Sequence, residues 1–140
     1  MFVSETKFIV RYAETDQMGI VHHSNYAIWF EAGRTDFIRK MGLPYSQIEA
    51  GGFMLPLIEL ICRFKGSANY EDEITVKTNI KEFTYTRLIF HYEVYKNGGP
   101  DIITSGETAH AWTDRNLKPM NIKKHAPHIY ELLVRVSSQA

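Results

Sequence analysis

The length, composition and charge of the chain are those of an ordinary globular protein. Its 140 residues, 44% hydrophobic and 23% charged, suit a single folded domain, 1–140, and give no sign of disorder. Sixteen basic residues balance sixteen acidic ones, which argues against a nucleic-acid binder, because such proteins usually carry a basic excess.

The cysteine content and the hydropathy exclude further classes. Cys62 is the only cysteine, so no disulfide can form within the chain, and its place in an apolar run favours a buried structural thiol over a nucleophile. No apolar run reaches the roughly 18 residues that a membrane helix needs, and no signal peptide precedes the first predicted strand. We therefore expect a cytoplasmic protein with no membrane or nucleic-acid partner.

The first part of the chain predicts a strand, a polar loop and one long helix. Residues 8–12 alternate with the period of two that is typical of a strand, and a loop rich in turn-forming residues runs from 13 to 24. Apolar side chains then recur near helical spacing, at Tyr26, Phe30, Gly33, Phe37, Ile38 and Met41. We expect Ser24 to cap this helix and Gly42 and Pro44 to end it.

The second part of the chain is dominated by strand patterns. Four segments have the apolar runs or the alternation of strands: 54–64, 74–81, 88–94 and 102–113. The turn formers at 97–100 predict a hairpin between the last two. A short helix from Pro127 to Val136 closes the chain, with the proline suited to a first helical turn.

This order of elements predicts an α+β fold. An antiparallel sheet of five or six strands can bury its apolar face against the long helix, and a curved sheet wrapped around one central helix is the economical packing. The opposite face and the edges of such a sheet then need cover. We expect a homo-oligomer, a dimer or a tetramer.

The unusual part of the sequence is segment 11–26, RYAETDQMGIVHHSNY, between the first strand and the long helix. It resembles the 4-hydroxybenzoyl-CoA thioesterase family of hotdog-fold acyl-CoA thioesterases, in which an Asp, a Gly and an Asn-Tyr pair occur at this spacing. Segments 30–35 (FEAGRT) and 67–72 (SANYED) are similar to the same family. The likeness in element order covers essentially the whole chain.

The resemblance implies a thioester hydrolase that cleaves acyl-CoA to a free acid and coenzyme A, with its site at the subunit interface of the homo-oligomer. Asp16 is the expected catalytic carboxylate, either as a nucleophile or as a general base on water. Gly19 belongs to the same loop motif, and the residue that matches His23 offers its backbone N–H to the thioester carbonyl. A helix N-terminus suits that task, because it presents free N–H groups and a positive dipole end to a developing oxyanion.

Further side chains near this segment are candidates for binding the substrate. Asn25 and Tyr26 are expected to buttress the start of the helix. The side chain of His22 either lines the site or hydrogen-bonds a backbone carbonyl, and the sequence leaves both open. Glu31 either contacts the substrate or forms an ion pair with Arg34, which follows three residues later on the same helix.

The coenzyme A portion of such a substrate is anionic, so we expect a basic residue to bind its phosphates. Arg87 is the best candidate, because it stands at the start of a predicted strand where related enzymes place phosphate-binding residues. The alternative is that Arg87 is solvated, or that it pairs with Glu93 or Glu107 across the sheet.

Two other functions compete with hydrolysis. A hotdog dehydratase or hydratase pairs a histidine with a carboxylate, and His22 or His23 with Glu31 offers such a pair, but Asp16 would then have no role. A non-catalytic acyl-binding module would keep only the fold. The sequence has no Gly-x-Ser-x-Gly elbow, no metal-ligand spacing among its six histidines and no nucleotide-binding loop. We therefore expect no metal and no cofactor beyond the coenzyme A part of the substrate.

Overall fold

A computed structural model describes residues 1–43 and 45–138, and within them it contains one antiparallel sheet and four α-helices. The strands are β1 (Ser4–Ile9), β2 (Leu57–Phe64), β3 (Glu73–Phe83), β4 (Arg87–Lys96) and β5 (Thr104–Ala111). The helices are α1 (Ser24–Lys40), α2 (Tyr45–Ala50), α3 (Ile122–His125) and α4 (Pro127–Ser138). A single 3₁₀ turn, Tyr12–Glu14, lies between β1 and α1.

The five strands lie in the order β1-β3-β4-β5-β2, and every neighbouring pair is antiparallel. This topology confirms the predicted α+β class, with five strands rather than six. Register shifts between Ile80 and Glu82 and between Leu57 and Glu59 interrupt the ladders, and such bulges bend a sheet. Strands β1 and β2 form its two edges.

Helix α1 packs closely against one face of this sheet. The ring of Phe30 stacks on that of Tyr92, with centroids 4.4 Å apart and planes 5° from parallel. A Cβ at Gly33 would stand 2.6 Å from Thr78 Oγ1, and a Cβ at Gly106 would stand 2.5 Å from the Phe30 ring. Because real Cβ atoms do not approach so closely, both positions require glycine, and the helix is held at one depth and register.

The structure departs from the sequence-based boundaries at several points. Strand β1 ends at Ile9, before the 3₁₀ turn, and residue 54 forms only an isolated bridge to Thr113 ahead of β2. Ser24 is the first residue of α1, not its cap: His23 holds the cap position. The short helices α2 and α3 were not predicted, since they are too brief to show a period. Pro44, expected to help end α1, lies outside the described residues.

A chain of hydrogen bonds crosses the core between the sheet and the segment before β2. The Tyr92 hydroxyl lies 2.6 Å from Oγ1 of Thr108, which lies 2.8 Å from Nε2 of His110. The other ring nitrogen, Nδ1, lies 3.1 Å from the carbonyl oxygen of Leu55. A carbonyl only accepts, so Nδ1 carries the proton and donates it, and Nε2 accepts from Thr108.

His110 is therefore a neutral, fully bonded imidazole. Its pKa is lowered to about 4, chiefly by burial and also by the charge of nearby Arg34, against the opposing effect of the bond to the Leu55 carbonyl. The ring ties the strand β5 to the loop that precedes β2 without needing a charge.

Acidification is expected to weaken the fold through His110. The unfolded chain takes up this proton near pH 6.5 and the folded chain only near pH 4, so the contribution is complete above pH 6.5 and is lost as the pH falls toward 4. At pH 5 the loss is about 2 kcal/mol. Urea unfolding at pH 7 and pH 5 measures it. His110→Gln should shrink the difference between the two pH values, while His128→Gln, an exposed position on α4, should keep it; an unchanged difference in His110→Gln would contradict this assignment.

Candidate active site

The Asp16 segment is a tight hairpin. Thr15 and Val21 form an antiparallel bridge, the Asp16 N–H donates to the carbonyl of Ile20 at 2.9 Å, and the Gly19 N–H donates to the carbonyl of Asp16 at 3.0 Å. Gly19 has φ +81, the left-handed conformation that closes a three-residue hairpin loop and that glycine adopts most readily. Gly19 thus shapes the loop that presents Asp16.

The Asp16 carboxylate is half-exposed, and only one of its two oxygens accepts a hydrogen bond from the described residues. Its Oδ1 accepts the backbone N–H of Met18 at 2.9 Å. Within the part of the chain that the structure describes, its Oδ2 accepts no hydrogen bond from the protein. One oxygen therefore orients the side chain, and the other is available to a ligand.

A buried carboxylate anchors this hairpin to α1. Glu14 is only 4% exposed. Its Oε1 accepts the backbone N–H of Arg11 at 2.8 Å, and its Oε2 accepts the indole N–H of Trp29 at 2.8 Å. The Arg11 guanidinium lies 3.3 Å from Oε2. Burial raises the pKa of Glu14, but these donors outweigh it and hold the pKa below its ordinary value. Sequence analysis did not single out Glu14, because its bond to Trp29 joins residues 15 positions apart and leaves no local pattern.

The backbone of Glu14 completes the anchor. Its carbonyl oxygen accepts the N–H of His22 at 2.8 Å and the side-chain amide of Asn25 at 2.9 Å. Asn25 therefore holds the loop against the first turn of α1, the buttressing role that the sequence suggested. On the other side, the Val21 N–H donates to the carbonyl of Ala68 at 2.9 Å, which fixes the loop before β3.

Two histidines, His22 and His23, directly precede the first turn of α1. Nδ1 of His22 lies 2.8 Å from the Ser24 hydroxyl and accepts the Ser24 N–H at 3.2 Å, so this ring nitrogen bonds the first residue of α1 and not a backbone carbonyl. The ring centroids of His22 and His23 lie 4.1 Å apart, with the ring planes tilted by 31°. Among residues 1–43 and 45–138, nothing accepts the backbone N–H of His23. That N–H is available at the positive end of the helix dipole.

Asp16, His23 and Tyr26 share one small cavity. It has a volume of about 160 Å³ and is lined by Asp16, Met18, Ile20, Val21, His23, Tyr26, Phe64, Gly66 and Ser67. Tyr26 is buried and meets the ring of Phe64 edge-on at 5.4 Å, and burial raises the pKa of its hydroxyl. Phe64 and the loop after it were not predicted as site residues, because they lie about 40 positions along the chain from Tyr26 and only the sheet brings them there.

Glu31 does not join this cavity. It is exposed two turns further along α1, where it lines a second cavity of about 290 Å³ with Arg34, Leu55 and His110. The expected ion pair between Glu31 and Arg34 is absent from the ion pairs of the described residues. The ion-pair interpretation of these two residues is therefore wrong.

Arg87 lies on the outer face of the sheet, at the start of β4. It is exposed, and its expected acidic partners are engaged elsewhere. Glu107 pairs with Lys81 at 2.9 Å, and Glu93 accepts the hydroxyl of Tyr95 at 3.1 Å. Arg87 pairs in register with Ala111 of β5, so it is held at the end of the sheet opposite Phe64.

The described residues give little support for a metal site or for a cysteine nucleophile. In that part of the chain, no three His, Cys, Asp or Glu side chains come together as a metal site. Nor does it contain a helix long and apolar enough to cross a membrane. Cys62 is half-buried, and burial raises the pKa of its thiol, which disfavours a thiolate nucleophile.

Comparison with known proteins gives consistent matches along nearly the whole chain. Residues 10–131 match the Thioesterase-like superfamily. YneP of Bacillus subtilis (strain 168), provisionally named an acyl-CoA thioesterase, is 34% identical over 91% of this chain and 92% of its own. The 4-hydroxybenzoyl-CoA thioesterase of Pseudomonas sp. (strain CBS-3) is 28% identical over 61% of this chain and 62% of its own.

A solved structure shows the same architecture. The DHNA-CoA thioesterase from Staphylococcus aureus superposes with a TM-score of 0.93 at 33% identity, covering 99% of this chain and 93% of that one. The superposition confirms the hotdog fold that segment 11–26 suggested.

Proposed function

Because the chain belongs to the Thioesterase-like superfamily, we propose that it is an acyl-CoA thioesterase, which hydrolyses acyl-CoA to a free acid and coenzyme A. The observation that carries the proposal is the shared cavity of Asp16 and His23, in which a carboxylate oxygen and a backbone N–H are both unoccupied by other described residues. Those are the two groups that thioester hydrolysis requires.

The chemistry follows from their positions. The thioester carbonyl oxygen accepts the N–H of His23, and the dipole of α1 stabilises the negative charge that develops on it. In one route Asp16 takes a proton from water, and the water oxygen adds to the carbonyl carbon. In the other route the Asp16 carboxylate attacks that carbon itself, and water hydrolyses the resulting acyl-enzyme anhydride in a second step. In either route the carbon–sulfur bond breaks and the thiolate of coenzyme A leaves and is protonated.

A dehydratase is less well supported. It would need His22 or His23 to face Glu31 across one substrate, whereas Glu31 lines the other cavity. An acyl-CoA panel with a thiol-detecting dye separates the candidates, because only hydrolysis releases a thiol, hydration removes a double bond, and a binding module does neither.

Replacing Asp16 by Asn is expected to abolish most of the activity. The change keeps the shape and removes the charge, so turnover should fall at least ~100-fold, the usual scale for loss of a general base. Thiol release and circular dichroism measure activity and folding. Asp101→Asn, in an exposed loop, is the matched control and should retain full activity. Near-normal turnover in a well-folded Asp16→Asn protein would exclude this mechanism.

The edge strand β2 supports assembly of two copies. Among the strands of the described residues it pairs with β5 alone, and it exposes four apolar side chains: Leu57 (47%), Ile58 (48%), Leu60 (43%) and Phe64 (53%). An unpaired apolar edge is a surface for pairing with another strand. In the proposed dimer, β2 of each copy pairs antiparallel around a two-fold axis perpendicular to the sheet. Because Phe64 lines the Asp16 cavity and lies on this strand, the cavity then adjoins the dimer interface.

The dimer can be tested at that edge. Leu60→Lys should convert the protein to a monomer, because charges on an edge strand oppose pairing, and should lower thioesterase activity at least ~10-fold by removing one wall of the site. Light scattering at micromolar concentration gives the mass. Val134→Lys, an exposed apolar position on α4, should stay dimeric and active. A wild-type protein that is a stable monomer would contradict the proposal.

Arg87 is proposed to hold a phosphate of coenzyme A. It lies at the same end of the sheet as the start of β2, two strands or about 10 Å away. In the dimer this end meets the partner's Asp16 cavity, so a pantetheine arm can span from one to the other. The ammonium of Lys123 lies 5.1 Å from the ring of Tyr85, two residues before Arg87 in the chain, and offers a second positive charge.

Arg87→Ala should raise the KM for acyl-CoA and leave kcat nearly unchanged, because a phosphate contact is equal in the ground and transition states. The effect should vanish with an acyl-pantetheine substrate that lacks the nucleotide. Arg135→Ala, exposed on α4, is the control. An unchanged KM with both substrates would show that Arg87 is a solvated charge.

A further inference from the structure

Trp29 is buried on α1 and is not one of the described residues that line the Asp16 cavity. Its indole N–H donates to Oε2 of Glu14 at 2.8 Å. Its ring meets that of Tyr26 at 4.8 Å and that of Phe8 at 5.3 Å, both edge-on. Trp29 therefore packs between the first strand, a wall of the cavity and the carboxylate that anchors the Asp16 hairpin.

The second tryptophan of the chain shows that burial alone does not require such a bond. Trp112 is 1% exposed and Trp29 is 2% exposed. Nevertheless, the indole N–H of Trp112 has no hydrogen-bond partner in the part of the chain that the structure describes. The fold thus tolerates a buried indole without an acceptor, whereas at Trp29 it supplies one, and that acceptor is an ionised group.

A carboxylate is a costly acceptor at this place. Burial opposes the charge of Glu14, and buried ionised groups add little net stability compared with apolar side chains of similar volume. What the charge adds is strength and direction, because hydrogen bonds to an ionised acceptor are shorter and roughly twice as strong as those between neutral groups. These properties favour a positioning role for Glu14 over a purely stabilising one.

Both groups of the proposed reaction are connected to Glu14 at short range. Asp16 follows it by two residues, across Thr15, whose N–H and hydroxyl both bond one backbone carbonyl of the 3₁₀ turn, at 3.1 and 2.7 Å. On the other side, the Glu14 carbonyl accepts the N–H of His22 at 2.8 Å, directly before His23. A shift of Glu14 would therefore move the Asp16 carboxylate relative to the His23 N–H.

We infer that Trp29 and Glu14 form a positioning pair, which holds the Asp16 carboxylate at the distance from the His23 N–H that thioester hydrolysis requires. Trp29 thus serves the reaction without touching the substrate. The inference rests on the proposed thioesterase function and deepens it, since it assigns a role in turnover to a side chain outside the cavity.

Trp29→Phe tests the pair, because it keeps an aromatic ring and removes the indole N–H. A displacement of about 1 Å can cost a reaction about 100-fold in rate, so kcat per folded protein should fall at least ~10-fold, with KM within ~2-fold. Thiol release from the acyl-CoA that the wild type cleaves fastest gives both constants, and circular dichroism gives the folded fraction. Trp112→Phe makes the same change at an equally buried indole and should leave kcat within ~2-fold.

Glu14→Gln tests whether the two residues act together. The N–H groups of Arg11 and Trp29 use separate carboxylate oxygens, and a glutamine offers only one acceptor oxygen, so kcat should again fall at least ~10-fold. In the Trp29→Phe background only the Arg11 N–H needs an acceptor, and Glu14→Gln should then cost less than ~3-fold more. Non-additivity of this kind is expected of two directly coupled residues.

A merely structural pair would give a different result. An unchanged kcat in folded Trp29→Phe protein whose thermal stability alone is lowered would overturn the inference. An equal fall of kcat in Trp112→Phe, or an equal cost of Glu14→Gln in both backgrounds, would overturn it as well, and each of these results leaves the hydrolase function standing. A wild-type protein that releases no thiol from any acyl-CoA refutes that function and, with it, the positioning pair.

Discussion

The close contact between α1 and the sheet is the constraint on which the rest of the molecule depends. It requires bare backbone at Gly33 and Gly106, so that the Phe30 ring can stack on Tyr92 without a steric clash. Packing at this density allows one depth and one register. The N-terminal turn of the helix, which supplies the free N–H of His23, is thereby placed at the end of β2 where Phe64 stands.

Two carboxylates in the loop before α1 have opposite environments and hence different uses. Glu14 is buried, and the cost of removing its charge from water is offset by donors from Arg11 and Trp29. Asp16, two residues later, is half-exposed with one oxygen unoccupied by other described residues. The first can hold the loop because it is fully bonded, and the second is available to a ligand because it is not.

The edge strand β2 links the separate proposals. Phe64 at one end belongs to the Asp16 cavity, and Leu57 at the other lies beside the loop of Leu55 and the ring of His110. In the proposed dimer, a two-fold axis through the middle of this strand places the Phe64 end of one copy beside the Leu57 end of the other. The same symmetry would bring Arg87 within reach of the coenzyme. The proposals for assembly and for nucleotide binding therefore both depend on this one exposed apolar edge.

The sequence by itself determined the elements whose pattern is local. The period of two in β3 and β4, the helical spacing of α1 and the turn at Gly19 all follow from backbone geometry that a few neighbouring residues set. Resemblance in segment 11–26 singled out Asp16, His23 and Tyr26, and these do share a cavity. Only the tertiary structure decided the burial of Glu14 against Trp29, the neutral state of His110, the presence of Phe64 beside Asp16 and the separation of Glu31 from that cavity. Each of these depends on strand register and helix depth, which arise from the packing of residues far apart in the chain and leave no local pattern in the sequence.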